Sequence, residues 1–166
     1  MARQQEVEVA VESARSAMPS RGTVVVSGLA SDAHTWNLVY LQILIEEFGY
    51  HVVNLGACVP DDVLVETCRR IDPALIALGS VNGHGRTDGL RVVARLRDCP
   101  ELVATPMVIG GKLTVSDDAE TLAPELLAAG FDGVFPDTAS TEGEFAAFVA
   151  ALPTAPRQLL SMGRPE

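Results

Sequence analysis

Apolar residues follow two rhythms along this chain. Short continuous runs, rich in β-branched residues, occupy Thr23–Leu29, His51–Leu55, Leu75–Leu78, Met107–Ile109 and Gly133–Phe135. Between them lie longer stretches of about ten to twelve residues that mix apolar with polar positions: Asn37–Phe48, Asp61–Arg70, Thr87 or Asp88 to Arg97, Ala119–Ala129 and Thr141–Ala151. The first rhythm predicts strands and the second helices. The punctuation agrees. Gly49 and Gly130 follow two of the helices, and Asp61, after Pro60, reads as an N-cap. Val7, Val11, Ala14 and Met18 also keep a helical spacing, which predicts a helical arm over residues 1–21, docked on the domain or on a partner. Residues 22–152 then form one domain, and 153–166 a loose tail.

Strands that stay apolar at every position, without alternation, are buried on both faces. Five of them alternating with helices imply an α/β fold, a parallel sheet covered on both sides. Right-handed crossovers leave the flavodoxin/Rossmann-like doubly wound order 2-1-3-4-5 as the expected solution. In such sheets ligands bind beyond the carboxyl ends of the strands, where the strand order reverses. That point lies between strands 1 and 3. It is flanked by Ser31-Asp32-Ala33-His34-Thr35-Trp36 after the first strand and by the segment from Gly79 to Gly85 after the third. Gly110-Gly111 and Pro136-Asp137-Thr138 lie on the same rim after strands 4 and 5.

Composition narrows the classes of function. With 22 acidic against 12 basic residues and a formal charge of −10, the chain does not suit nucleic acid or anionic membrane surfaces. No apolar run reaches the ~18–20 residues of a membrane span, and the start lacks the apolar core of a signal peptide. The expected location is the cytoplasm. Cys58, Cys68 and Cys99 form no C-x-x-C pair and are expected as buried thiols, not as disulfides or zinc ligands.

Candidate chemistry gathers on the rim. Asp32 and His34 are two residues apart, so in an extended loop they point the same way. A carboxylate on one imidazole nitrogen fixes the tautomer and makes the other nitrogen a better base or metal ligand. Trp36, the only tryptophan, reads either as packing or as a stacking surface. Gly83, Gly85 and Gly89 fit no G-x-G-x-x-G fingerprint. Gly110-Gly111 reads as a turn or as a close approach to a bulky ligand. A phosphoacceptor receiver would end strand 3 on aspartate, but Gly79 and Ser80 stand there; a serine hydrolase would carry a G-x-S-x-G elbow, and none exists.

Several stretches, SDAHTWN, EEFGYHVVNLGACVPDDVLVETC, VNGHGRTDGL, MVIGGKLTVS and GFDGVFPDTAS, together resemble the cobalamin-binding domain shared by adenosylcobalamin-dependent mutases and methionine synthase. Within it they are most similar to the small subunit of glutamate (methylaspartate) mutase. The resemblance covers roughly residues 22–150. The family signature is D-x-H-x-x-G, then S-x-L, then G-G; Asp32-Ala33-His34 and Gly110-Gly111 match its first and last anchors. The resemblance implies that His34 is the lower axial ligand to cobalt, replacing the cofactor's own dimethylbenzimidazole base, and that Asp32 holds its other nitrogen. The displaced nucleotide tail would enter a slot between strands 1 and 3, lined by Ser80, Val81 and Gly110-Gly111. Ser31, Ala33, Thr35, Trp36, Asn37, Gly79, Gly83, Pro136 and Thr138 would complete the cofactor-binding set, with no catalytic residue of the chain's own. Two anchors depart from the pattern. Asn37 stands where the signature has glycine, and S-x-L reads Gly79-Ser80-Val81. Ser80 is then expected to supply the missing hydroxyl one position on, and Asn37 either crowds the tail or gives it a new hydrogen bond. The implied activity is that of an isomerase subunit. It would carry adenosylcobalamin to a separate catalytic large subunit, a TIM barrel, for the interconversion of glutamate and 3-methylaspartate. The alternatives are another amino-acid mutase, a methyltransferase module, or a binding module that has lost the cofactor.

Overall fold

The computed structural model describes residues 20–115 and 119–154. The expected N-terminal helix and most of the tail lie outside them. The described elements are β1 (Thr23–Gly28), α1 (Trp36–Glu47), β2 (His51–Asn54), α2 (Asp61–Ile71), β3 (Leu75–Ser80), α3 (Gly85–Arg97), a 3₁₀ turn (Pro100–Leu102), β4 (Met107–Gly111), α4 (Ala119–Ala129), β5 (Gly133–Pro136) and α5 (Thr141–Ala151). The five strands form one parallel sheet in the order β2-β1-β3-β4-β5, the order expected from the sequence.

The pleat divides the core in two. Val24, Val26, Leu75, Ala77, Val108 and Phe135 face Leu38 and Ile45 of α1 and Phe145 and Val149 of α5. Val25, Ile76, Leu78, Met107 and Ile109 face the other way, onto Leu64 and Cys68 of α2, Val92, Val93 and Leu96 of α3, and Leu122 and Leu126 of α4. Both layers are almost fully buried, which is why these strands are apolar at every position.

The carboxyl ends differ from the rest. There the register aligns Gly28 with Gly79, and Gly79 with Gly110. Three adjacent strands thus carry no side chain in one row, on the face that α1 and α5 cover.

Several expectations are corrected. Asp61 is the first helical residue and not the cap. Pro60 caps in an extended conformation, and the Asp61 carboxylate is drawn off by Arg91, whose Nε and guanidinium Nη2 donate to it at 2.6 and 3.1 Å. Helix α3 starts at Gly85, two or three residues early, because the turn before it is fixed by the Asn82 side chain, which accepts from the His84 amide at 2.9 Å. Of the three thiols only Cys68 is buried, and burial pushes it up to about 12; Cys58 is exposed and Cys99 half-buried. No described helix is long and apolar enough to cross a membrane.

Candidate functional site

The loop from Leu29 to Thr35 leaves β1 and is pinned from two sides. On one side Asp32, almost fully buried, reaches across to the loop after β3. The amides of Val81 and Asn82 donate to its Oδ2 at 2.6 and 3.2 Å. Its Oδ1 accepts the His34 amide at 3.0 Å and lies 2.7 Å from His34 Nδ1. Burial works against charge on this carboxyl, but the Val81, His34 and Asn82 amides and the His34 ring outweigh it and hold the group below the usual carboxylate range. An ionised carboxylate only accepts, so Nδ1 carries a proton, and in the neutral ring the lone pair is on Nε2. The His34 side chain is 61% exposed.

On the other side stands a group that local sequence pattern does not reveal. Asp88, buried on α3, accepts from the Ser31 hydroxyl and, at 3.4 Å, from the Ser31 amide. Arg91 bridges Asp88 at 2.7 Å and Asp61, tying the loop to α2 and α3. Asn82 adds a third tie, its Nδ2 donating to the Ser31 carbonyl at 2.9 Å. The one signal in the sequence is a carboxylate among the buried positions of an amphipathic helix, which needs a partner. Asp88→Asn keeps the shape and loses the charge. It is expected to open the loop by about 1 kcal/mol, the low end for a charge-assisted pair because Arg91 is half exposed. Amide hydrogen exchange at Asp32 and His34 should then quicken about fivefold; unchanged exchange would remove Asp88 from this role.

Acid gives a second test of the loop. A carboxyl held below its ordinary value stabilises the folded loop above about pH 4, the unfolded value, and this stability drains away as pH falls through the folded value. Trp36, exposed beside the loop, serves as the reporter. A change in its emission and in the His34 amide signal is expected below about pH 4; no change there through acid unfolding would count against the linkage.

Beyond the loop a cavity of about 470 Å³ opens over β3 and β4, between α1 and α5. Its floor is Ala77, Gly79, Val108 and Gly110, with Val81 and Gly111 at the edge. Leu41, Leu44, Phe135 and Phe145 wall it, Asn37 stands against Gly79, and Tyr40, Asp137, Thr138, Thr141 and Glu142 ring its upper part. Gly79 and Gly110, neighbours in register, put bare backbone at the floor. The cavity lies one strand over from the expected slot between strands 1 and 3. Those strands are hydrogen-bonded along their length, and their loops are stitched together by Asp32.

The expected residues divide accordingly. Asn37, Gly79, Val81, Gly110, Gly111 and Thr138 line the cavity. Pro136 lends its carbonyl to the Thr141 hydroxyl, which also meets Thr138 at 2.8 Å, fixing the turn at the mouth. Ser31, Asp32 and His34 form the loop; Ala33 is exposed, and the Thr35 carbonyl starts α1. Ser80 is on the wrong face: it is fully buried, bonds Asn82, and packs where a Cβ on Gly85 would sit 2.8 Å away. It cannot lend its hydroxyl to the cavity. Gly83 packs under Val115, away from the cavity. Trp36 is 85% exposed, so the packing alternative does not hold. Tyr40, Leu41 and Leu44 of α1 and Thr141, Glu142 and Phe145 of α5 also line the cavity and are not marked by local pattern, because the inner faces of these helices carry no distinct periodicity.

Among the described residues no three His, Cys, Asp or Glu side chains are grouped to hold a metal ion. A metal on His34 would therefore arrive with its other ligands. One open imidazole, a glycine-floored cavity and an unpaired amide oxygen on Asn37 in its wall suit a ligated metal carrying a bulky appendage.

The comparisons with known proteins agree. A family model for the B12 binding domain matches residues 22–146. Glutamate mutase sigma subunit 2 of Haloarcula marismortui is 30% identical over 131 residues, 78% of this chain and 87% of that protein. Trimethylamine corrinoid protein 1 of Methanosarcina acetivorans is 23% identical, over 70% of this chain and 54% of its own length. Among solved structures, the monomethylamine corrinoid protein of Methanosarcina barkeri superposes with a TM-score of 0.63 at 16% identity, covering 90% of this chain and 66% of that one; at that identity the likeness speaks for the fold.

Proposed function

The chain belongs to the B12-binding domain family, and from that premise we propose that it is the cobalamin-carrying small subunit of an adenosylcobalamin-dependent carbon-skeleton mutase of the glutamate/3-methylaspartate type. The observation that carries the reading is the Asp32–His34 pair at 2.7 Å, held on the ligand rim next to the cavity. His34 would ligate cobalt through Nε2, oriented by Asp32. Gly79, Gly110 and Gly111 would let the displaced nucleotide tail approach the sheet. When bound, adenosylcobalamin supplies a homolysable cobalt–carbon bond and hence radical chemistry. This chain's share is to orient the imidazole, keep a proton on Nδ1 and bury the tail.

The cavity holds no arginine, so recognition of an amino-acid substrate falls to a separate catalytic subunit, proposed as a TIM barrel, in a hetero-oligomer in the cytoplasm. Exposed Trp36, Val39, Tyr40 and Ile43 on α1, beside the histidine loop, support docking there.

The test mixes the purified chain with adenosylcobalamin, then adds the cognate large subunit and glutamate. A base-off, histidine-on spectrum with formation of 3-methylaspartate supports the reading. Binding of methylcobalamin with methyl transfer and no rearrangement would favour a corrinoid methyltransferase module, the second reading, to which the likeness to the trimethylamine corrinoid protein lends weight. No binding of any cobalamin would leave a module that has lost the cofactor.

A further inference from the structure

Asn37 and Gly79 meet at the inner wall of the cavity. A Cβ added to Gly79 would lie 2.7 Å from Asn37 Nδ2 and 3.1 Å from Leu38 Cδ2. The amide of Asn37 therefore fills the volume that any side chain at position 79 would need. The same amide has a buried oxygen, Oδ1, with no hydrogen-bond partner. A buried acceptor left unpaired costs stability until a donor arrives. The surrounding wall supplies none: Leu41, Leu44, Val108 and Phe135 are apolar. The hydroxyls nearer the mouth are already engaged, Thr138 with Thr141 and Tyr40 with Glu142.

We propose that Asn37 is the specificity-determining residue of this cavity. Its amide hydrogen-bonds a polar group of the cobalamin's nucleotide tail from helix α1, and Gly79 is the vacancy that gives the amide its place. The two departures from the family signature are then one change. The polar group carried by strand β3 in the S-x-L pattern is delivered here from the helix opposite. This inference rests on the cobalamin reading of the site.

The test titrates the full chain and three variants, Asn37→Ala, Gly79→Ala and the double variant, with adenosylcobalamin and with adenosylcobinamide, which keeps the corrin ring and cobalt and lacks the nucleotide tail. Asn37→Ala is expected to weaken cobalamin binding about tenfold, the worth of one ligand hydrogen bond, and to leave cobinamide binding within about twofold. Gly79→Ala, which pushes the amide out of its place, should give the same loss, and the double variant no more than either single one. A merely structural Asn37 would lower the melting temperature of the ligand-free chain. The proposal instead expects Asn37→Ala to melt at or above the wild type, because an unpaired buried acceptor has been removed. Wild-type affinity in Asn37→Ala, equal losses for both ligands, or additive losses in the double variant would overturn the proposal. If the wild type binds neither corrinoid, the cobalamin reading itself falls, and this inference with it.

Discussion

Replacing His34 with alanine is expected to remove histidine from cobalt and to weaken cobalamin binding by about 100-fold or more. Losing only the partner behind a metal-bound histidine typically costs ~10–100-fold, and here the ligand itself goes. The physical case lies in the loop. Asp32 is held ionised by three backbone amides and the His34 ring, so it fixes the proton on Nδ1 and presents Nε2 without rotational search. The His34 ring is mostly in solvent, and Asp32 keeps its ties to the Val81, Asn82 and position-34 amides without it. His34→Ala should accordingly leave the melting temperature almost unchanged while the binding is lost. The measurement is the EPR spectrum of the Co(II) form in protein labelled with ¹⁵N-histidine. The wild type should show the label in its nitrogen hyperfine pattern, and the variant should not. An identical labelled pattern in both would pass the ligand's role to His51 or His84 and sink the assignment.

Gly111→Ala is expected to be the most damaging single methyl in the described part of the chain. Gly111 has φ +100°, a region closed to most side chains, and a Cβ there would stand 2.0 Å from the Ser80 carbonyl oxygen. That oxygen belongs to the neighbouring central strand, so relief requires β3 and β4 to part at their ends. Backbone strain alone costs about 1–3 kcal/mol, and the clash adds to it. Against a total stability of about 5–15 kcal/mol, a loss of about 3 kcal/mol or more should lower the melting temperature by roughly 10 °C. The ligand-free protein followed by circular dichroism checks this. A variant that melts within about 2 °C of the wild type would show that the strand ends are looser than their register implies.

Much of this architecture can be read from periodicity alone. Val24–Val26 and Leu75–Leu78 lack alternation because both of their faces are buried, and from that the parallel sheet and its order follow. The Asp32–His34 contact is also local, two residues apart, and so within reach of a reading of the chain. What escapes such reading depends on register and on distance along the chain. Ser80 and Gly79 are adjacent in sequence, yet the pleat sends one to α3 and the other to the cavity; only the alignment of β3 with β4 shows which is which. Asp88 serves Ser31 from 57 residues away, and no local pattern carries that information. Asp61 looks like a cap by composition, but a guanidinium from another helix competes for its carboxylate and wins.

The neighbouring Gly79 and Gly110 have a consequence for how this fold can change its preferences. Bare backbone has no rotamers: that part of the floor cannot fill in when empty, nor reshape itself around a different guest. The cavity is in this sense a mould with a fixed bed and movable sides. Retuning of what fits is then written in the side chains that wall the cavity, at positions such as Asn37, Leu41, Phe135 and Phe145. A library confined to those wall positions would thus vary ligand fit without touching the glycines beneath.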